Sequence, residues 1–282
     1  GEGALIVART GLTVEAIQAM TFQEFTPDAR MMITRKDRHH CPLCPDDVHR
    51  KSLALPWVFR CPVHGADLQD ATGATLPEML GDARMAALAT HAKAGSVILN
   101  AWARGAGQGI LGAPEMLAVL TARHRRASPP SLAEQPRMSL QTRRDYHEFL
   151  TMPILRQALT VVVPEYDLVA PVLAKPVRPG LYGLAQGSLL QGFALTAGIG
   201  RLVEDPVALA IAVLLASDTD GQGRVQDALR SWPLSLRRRI SARLWRAKRD
   251  ERDRRIAQTP TRRRQSHEYR RVQSHEYRSR IS

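Results

Sequence analysis

The sequence contains few cysteines, and their spacing does not suit a disulfide scaffold. Only three occur among 282 residues, Cys41, Cys44 and Cys61. An odd number of thiols at uneven spacing cannot form the closed disulfide set that holds small secreted domains together. We also expect no secretory signal, because the apolar run 4–8 stops at Arg9, short of the length that such a signal needs. These two absences predict a protein of the reducing cytoplasm.

A charge-free stretch long enough to cross a bilayer does occur, but its composition excludes that role. The 22 residues from Pro179 to Gly200 include six glycines and four Gln, Ser or Thr side chains, and these residues transfer poorly into lipid. We therefore predict a closely packed, buried helix pair in this stretch. A further core helix is expected over 207–216, and no membrane partner is expected.

The patterns of a catalytic site are also missing. No nucleophile, base and orienting acid occur in a common setting. The glycine-rich run 105–109 has no preceding strand and no following Lys-Ser or Lys-Thr, so it predicts a flexible turn rather than a phosphate loop. The segment 218–225 begins like a calcium loop, but its twelfth position is Leu229 instead of glutamate, which favours an exposed turn before a helix at 224–230. We predict that the protein is not an enzyme.

Positive charge is concentrated at the carboxyl end. Residues 230–282 hold 18 Lys+Arg against 5 Asp+Glu, whereas residues 1–229 hold 22 of each, so the whole formal excess of +13 lies in this final part. Most of these cations are arginines, which bind phosphate groups through two parallel hydrogen bonds. The concentration favours DNA as a partner, because each neutralised phosphate releases counterions. A merely solubilising tail is the alternative.

Part of this basic end has the pattern of an amphipathic helix, over 230–257. Apolar residues recur every fourth position at Leu236, Ile240 and Leu244, and Ser235 after Pro233 is a suitable N-cap. The residues predicted to contact nucleic acid are Arg237, Arg238, Arg239, Arg243, Arg246, Lys248 and Arg249. A helix of this kind also suits an anionic membrane or a partner's groove, so periodicity alone does not choose the polyanion.

Two further features belong to the same end of the chain. Trp245 adjoins the apolar stripe, and we expect it to pack into its own domain, with stacking on a base as the alternative. Residues 258–282 contain the repeat Gln-Ser-His-Glu-Tyr-Arg twice, at 265–270 and 273–278. Two short copies are too few for a solenoid, so we predict a disordered basic tail.

The strongest motif is a metal-binding pattern, C-x2-C-x16-C-x2-H, which uses every cysteine of the chain. Donors two residues apart in tight turns can bind one Zn²⁺ tetrahedrally. The predicted ligands are Cys41, Cys44, Cys61 and His64. Buried structural thiols are the competing interpretation, and His39, His40 or His49 are alternatives for the fourth ligand. Prolines and a glycine beside the donors favour metal-binding knuckles.

The chain between the two knuckles predicts a small β-hairpin. Leu53, Leu55, Trp57 and Phe59 alternate with other residues, as they do in a strand. Four protein ligands would fill the zinc coordination shell, which indicates a structural ion rather than a catalytic one. With so few apolar residues over 39–70, most of the folding free energy of this module is expected to come from metal binding.

Helical periodicity accounts for most of the remaining chain. It predicts helices over 77–103 and 140–159, with a proline-rich connector over 164–179. The predicted fold class is mainly α, consisting of helical domains with a small zinc-stabilised β-hairpin. The expected divisions are 1–38, an incomplete helical segment that starts at Gly1 without a methionine; 39–70, the zinc finger; 71–229, a helical domain; 230–257, the basic helix; and 258–282, the tail.

The metal-binding region resembles the zinc-finger signature of the TniQ family of transposon target-selection proteins. The resemblance rests on Cys-Pro-Leu-Cys, Leu-Pro-Trp-Val-Phe and Cys-Pro-Val-His-Gly followed by Ala-Asp-Leu, about thirty residues in all. Leu53 departs from the pattern, since family members usually carry tryptophan there. The resemblance implies a subunit without a reaction of its own that binds target DNA or an RNA-guided CRISPR effector and recruits an AAA+ ATPase.

The same resemblance implies a helix-turn-helix after the zinc finger, which 140–163 or 184–217 would supply. The number of subunits stays open, and a homodimer is one alternative. Two other functions compete with target selection: a standalone zinc-containing DNA-binding regulator, and a zinc hydrolase.

Overall fold

The protein is mainly helical, as its sequence predicts. A computed structural model describes residues 8–11, 13–14, 21–33, 39–45, 51–106, 111–122, 158–167, 180–217 and 219–258. The helices whose bounds are described are α1 (Pro27–Met32), a 3-10 helix (Lys51–Ala54), α2 (Leu76–Leu80), α3 (Asp82–Ala103), α4 (Ala113–Leu120), α5 (Leu159–Val162), α6 (Pro164–Asp167), α7 (Leu181–Gln186), α8 (Leu189–Glu204), α9 (Pro206–Ala216), α10 (Thr219–Leu229) and α11 (Leu234–Gln258). Residues 8–10 and 14 are also helical.

Several earlier predictions concern residues outside this part of the chain. They are the helix over 140–157, most of the connector over 164–179, and the tail from 259 onward. Of the two regions predicted to supply a helix-turn-helix, 140–163 is described only from residue 158 onward and 184–217 throughout. There α8 and α9 are separated by Asp205 alone, which is shorter than the three or four residues of a helix-turn-helix turn.

Local capping explains where several helices begin. The Asp205 carboxylate accepts a hydrogen bond from the backbone N–H of Ala208 at 3.1 Å, and Pro206 occupies the first turn of α9. The Ser188 hydroxyl accepts one from the N–H of Gln191 at 3.2 Å at the start of α8. Both arrangements satisfy N–H groups that a helix start otherwise leaves unpaired.

The predicted helix over 77–103 is divided into α2 and α3. Gly81 separates the two helices with a φ of 79°, a left-handed conformation that favours glycine. At the start of α2 the Glu78 carboxylate accepts hydrogen bonds from the N–H of Thr75 at 2.7 Å and from its hydroxyl at 2.9 Å. These bonds lower the pKa of Glu78, because they favour the charged carboxylate.

Helix α8 forms the centre of the helical core, and it confirms the prediction of closely packed, buried helices after Pro179. It packs against α3, α4, α5, α7 and α9, and most of its side chains are buried. Its approach to α3 is very close at two glycines. A methyl group on Gly95 of α3 would meet the backbone carbonyl of Thr196, and one on Gly200 of α8 would meet that of His91.

An ion pair joins α8 to the short helix α6. The Arg201 guanidinium donates to both carboxylate oxygens of Glu165, at 2.6 and 2.9 Å, and to the carbonyl of Val162 at 3.0 Å. The hydrogen bonds from Arg201 lower the pKa of the Glu165 carboxyl, against the opposing effect of burial. This bidentate pair fixes the end of the α5 to α6 segment on the core.

The exposed turn expected before residue 224 is wrong, because the chain is helical from Thr219 to Leu229. Two glycines in this segment weaken local helix propensity. However, Val225, Ala228 and Leu229 are buried, and α10 packs against α4 and α9. Tertiary burial of one helix face therefore outweighs the local preference for a turn.

The chain divides into two compact units, 1–237 and 238–282. The first contains the residues of the metal-binding pattern and the helices from α1 to α10. In the second, the described residues belong to α11 from Arg238 onward. Among the described helices, none combines the length and the hydropathy that crossing a bilayer requires.

Candidate metal centre and basic helix

Two tight turns bring the four predicted metal ligands together. In the first, the N–H of Cys44 donates to the carbonyl of Cys41 at 3.1 Å, and in the second, the N–H of Gly65 donates to the carbonyl of Cys61 at 2.8 Å. Gly65 has a φ of 65°, which allows the chain to turn directly after His64. Each turn thus points both of its donors to the same side.

Four of the six separations between the donor atoms match those of a tetrahedral zinc shell. The Sγ atoms of Cys44 and Cys61 are 3.8 Å apart, and Nδ1 of His64 lies 3.5, 3.5 and 3.7 Å from Sγ of Cys41, Cys44 and Cys61. All four atoms lie within 4.8 Å of one another. Tetrahedral Zn²⁺ with Zn–S of about 2.3 Å and Zn–N of about 2.0–2.1 Å requires about 3.8 Å between sulfurs and about 3.5 Å between sulfur and nitrogen. The residues therefore fit one metal ion.

The local environment also favours the metal-binding form of Cys61. Burial raises the pKa of its thiol, but hydrogen bonds from the backbone of His64 and Val63 and from the thiols of Cys41 and Cys44 lower it, and the pKa falls to about 6. The thiolate is the form of cysteine that coordinates metal. Backbone N–H groups directed at a ligand sulfur are an outer-shell interaction that orients the ligand.

His64 is the fourth member of this cluster, and two of its alternatives are not. His39 and His40 do not belong to the group of mutually close donors found in the described part of the chain. The backbone of His40 instead pairs with that of Gln69, at 3.0 and 2.9 Å in the two directions. His49 lies outside the described residues.

The strand expected between the knuckles is wrong. Residues Lys51–Ala54 form a 3-10 helix, and a turn follows at 55–57. Pairing over 39–45 and 51–75 consists of three isolated antiparallel bridges, His40 with Gln69, Arg60 with Asp67, and Gln69 with Thr75. The side chains of Leu53, Leu55 and Trp57 are nevertheless buried, so the alternation reflects burial without a strand.

The segment between the knuckles is anchored on the helical core, a feature that sequence analysis missed. The Trp57 indole N–H donates to Oδ1 of Asn100 at 3.0 Å, and the Ser96 hydroxyl donates to the Trp57 carbonyl at 3.0 Å. Phe59 meets Phe193 of α8 edge to face, with ring centroids 5.1 Å apart. The segment between the knuckles is thus connected directly to α3 and α8. The signal in the sequence was a tryptophan and a phenylalanine within one short apolar run.

Replacing Trp57 with phenylalanine is expected to lower the free energy of unfolding by about 1–3 kcal/mol. The substitution removes the indole N–H that donates to Asn100. It also leaves a small void, because the Trp57 side chain is only 1% exposed. Chemical denaturation measures the change. Trp245→Phe is the matched control, because that ring is 63% exposed and its loss should leave stability unchanged. Equal midpoints for the two variants would contradict the anchoring role of Trp57.

Helix α11 carries the predicted nucleic-acid contacts. Six of the seven predicted residues are exposed, namely Arg238, Arg239, Arg243, Arg246, Lys248 and Arg249, whereas Arg237 is half-buried. Ile240 is buried and Leu236 and Leu244 are half-buried, so the predicted apolar stripe is the least exposed face. The helix starts at Leu234 and ends at Gln258, so its end lies one residue beyond the expected 257. The N-cap expected at Ser235 is wrong, because Ser235 lies inside the helix.

Trp245 does not pack into its own domain as expected. Its side chain is 63% exposed, and the guanidinium carbon of Arg249 lies 5.5 Å from the centroid of its ring. Arg249 also pairs with Asp253 at 3.9 Å, a weak interaction between exposed groups. The ring thus belongs to the exposed basic surface.

Compared with known proteins, the chain matches no family model, no curated protein and no solved structure.

Proposed function

We propose that the protein is a non-catalytic, zinc-stabilised adaptor that binds nucleic acid and acts in target selection during DNA transposition. The observation that carries the binding role is the exposed arginine-rich surface of α11. The transposition role is supported by the resemblance of residues 41–68 to the TniQ zinc finger. Both roles suit a protein of the cytoplasm.

The metal has a structural role in this proposal. Cys41, Cys44, Cys61 and His64 would hold one Zn²⁺, and a bound ion would crosslink the two knuckles. Four protein donors leave no coordination position for a reactive water, which argues against the zinc hydrolase. Trp57 and Phe59 connect the crosslinked region to α3 and α8. The region would therefore present a rigid surface to a partner protein.

Phosphate contacts would provide most of the affinity for DNA. The sequence of α11 holds ten Lys+Arg against three Asp+Glu, and Arg239, Arg243 and Arg246 are exposed. Arginine binds phosphate oxygens bidentately and stays charged at all relevant pH values. Such contacts position a protein on DNA without reading its sequence.

Neutralising three of these arginines should weaken DNA binding and make it less sensitive to salt. We expect the variant Arg239→Gln/Arg243→Gln/Arg246→Gln to lower the slope of log K against log salt by up to about 3, since each phosphate contact contributes about 0.9. Fluorescence anisotropy with a labelled duplex, titrated between about 50 and 200 mM salt, measures both quantities.

The matched control neutralises the same number of exposed cations elsewhere. Lys93→Gln/Arg104→Gln/Arg224→Gln removes three positive charges from the first compact unit and should leave the salt slope unchanged. If both triple variants lose affinity equally, net charge rather than the surface of α11 binds DNA. Substitutions are preferable to truncation before α11, because truncation would also remove the buried Ile240.

Recruitment distinguishes target selection from simple DNA binding. In the proposal the zinc-bound region contacts an AAA+ ATPase regulator, and α11 contacts target DNA or an RNA-guided CRISPR effector. Recovery of an AAA+ ATPase with the full chain, or a transposase gene beside its own, would support the transposition role. DNA binding without either would favour the standalone regulator, because metal centre and basic helix support that function equally well.

A further inference from the structure

One of the four tryptophans differs from the other three in its exposure. Of the four tryptophans, Trp57, Trp102 and Trp232 are 1%, 7% and 2% exposed, whereas Trp245 is 63% exposed. The buried three contribute to the core in the usual way for this side chain. The exposed indole has no such role, and it lies in the middle of the most basic helix.

The surroundings of this ring form a groove in which positive charge predominates. A shallow, open groove of about 450 Å³ is lined by Trp245, Lys248, Arg249, Arg252 and Asp253. Three of the four charged groups are cations. The Arg249 guanidinium beside the ring, 5.5 Å from its centroid, adds a second planar surface.

Helix geometry places further cations on the same face. Trp245 lies five residues after the buried Ile240, which is about 140° around the axis and so nearly opposite the least exposed stripe. Arg238 and Arg252 are seven residues before and after it, on the same face and about 10 Å away along the axis in each direction. A strand lying along α11 would meet a cation, an aromatic ring and a second cation in turn.

We propose that the face of α11 formed by Arg238, Trp245, Lys248, Arg249 and Arg252 binds single-stranded nucleic acid, with one unpaired base stacked on the Trp245 indole and the neighbouring phosphates on the guanidinium groups. This inference rests on the proposed function and names the form of nucleic acid that the site takes. Alternating aromatic and cationic groups are how proteins bind single strands. In a duplex the base faces are already stacked, so phosphate contacts alone would leave the ring unused.

The test measures the tryptophan emission of the full chain and its affinity for three ligands. These are oligo(dT), an abasic strand of the same length, and a duplex of the same length. Because the other three tryptophans are buried, quenching by oligo(dT) reports on Trp245. We expect oligo(dT) to quench the emission and Trp245→Ala to weaken its binding about tenfold or more. Binding of the abasic strand and the duplex should change less than about twofold, since both lack an unpaired base.

Several outcomes would overturn the proposal. Equal oligo(dT) affinity of Trp245→Ala and the wild-type chain, or a loss that is as large for the abasic strand, would show that the ring stacks on no base. The proposal would also be overturned if vesicles of phosphatidylserine and phosphatidylcholine changed the emission and oligo(dT) did not. That result would assign this face of α11 to a membrane. Oligo(U) beside oligo(dT) shows whether the strand is RNA or DNA. Tyr182→Ala, which removes another exposed aromatic ring, is the control and should change none of these results.

The stacking site at Trp245 and the proposed DNA-binding function can be refuted separately. If the Arg239/Arg243/Arg246 variant weakens duplex binding but Trp245→Ala leaves oligo(dT) binding unchanged, the stacking site is refuted and the DNA-binding function stands. If the triple variant also leaves duplex binding unchanged, the proposed function itself is refuted.

Discussion

Substitution of Cys61 by serine is expected to release the metal ion and to unfold the residues around it. Cys61 Sγ is a common neighbour of the Cys44 sulfur and the His64 nitrogen, at 3.8 and 3.7 Å. Structural zinc contributes about 10 kcal/mol or more in peptides that fold only with metal, so the loss of one ligand is the largest single effect expected in the chain.

Two measurements check this expectation. Elemental analysis should find one zinc per wild-type chain and none in Cys61→Ser. Hydrogen exchange should become fast at the amides of Cys61 and Leu68, whose N–H groups donate to the carbonyls of Ala66 and Phe59 at 2.8 and 3.0 Å. These bonds hold the second knuckle closed, and they depend on the ligands that flank them.

Four control variants test which residues are metal ligands. Val63→Ser changes an exposed residue of the same knuckle and should keep its zinc. His64→Cys should also keep it, because four thiolates form an equally good structural shell. His39→Gln and His40→Gln should retain the metal, since neither histidine belongs to the cluster. Retention of one zinc per chain by Cys61→Ser would show that the assignment is wrong.

Alanine at Gly200 is expected to lower stability by about 2–4 kcal/mol. The added methyl group would meet the backbone carbonyl of His91 in α3, and a backbone atom cannot move aside by changing rotamer. The two helices would have to separate, which disrupts the packing of the most buried helix in the core. Gly95→Ala should have a similar effect, because its methyl group would meet the carbonyl of Thr196.

Gly223→Ala is the matched control for this prediction. Gly223 lies inside α10, and a methyl group there would have no heavy atom within 4 Å. Alanine should therefore stabilise the protein by about 0.5–1 kcal/mol through its higher helix propensity. Chemical denaturation of the three variants measures both the expected losses of stability and the expected gain. A stabilising Gly200→Ala would mean that α3 and α8 do not approach each other closely.

Some of the fold could be predicted because its causes lie close together in the sequence. The apolar run 207–216 indicates the helix that the structure shows as α9, and the charge-free run after Pro179 indicates buried helices. The strand expected from Leu53 to Phe59 and the turn expected over 218–225 were wrong for a shared reason. In both segments a local pattern was outweighed by burial against helices distant in the sequence.

The sequence by itself identified the four side chains that the structure brings together as a possible metal site, because each pair of donors is only three positions apart and one turn of the chain is enough to orient it. It also determined the distribution of charge along the chain and which residues form the least exposed face of α11. Only the tertiary structure decided that Trp57 meets Asn100 across 43 residues, that Gly95 and Gly200 bring two helices into backbone contact, and that Trp245 remains exposed. These features depend on which surfaces of distant segments meet, and that choice is made by packing of the whole core.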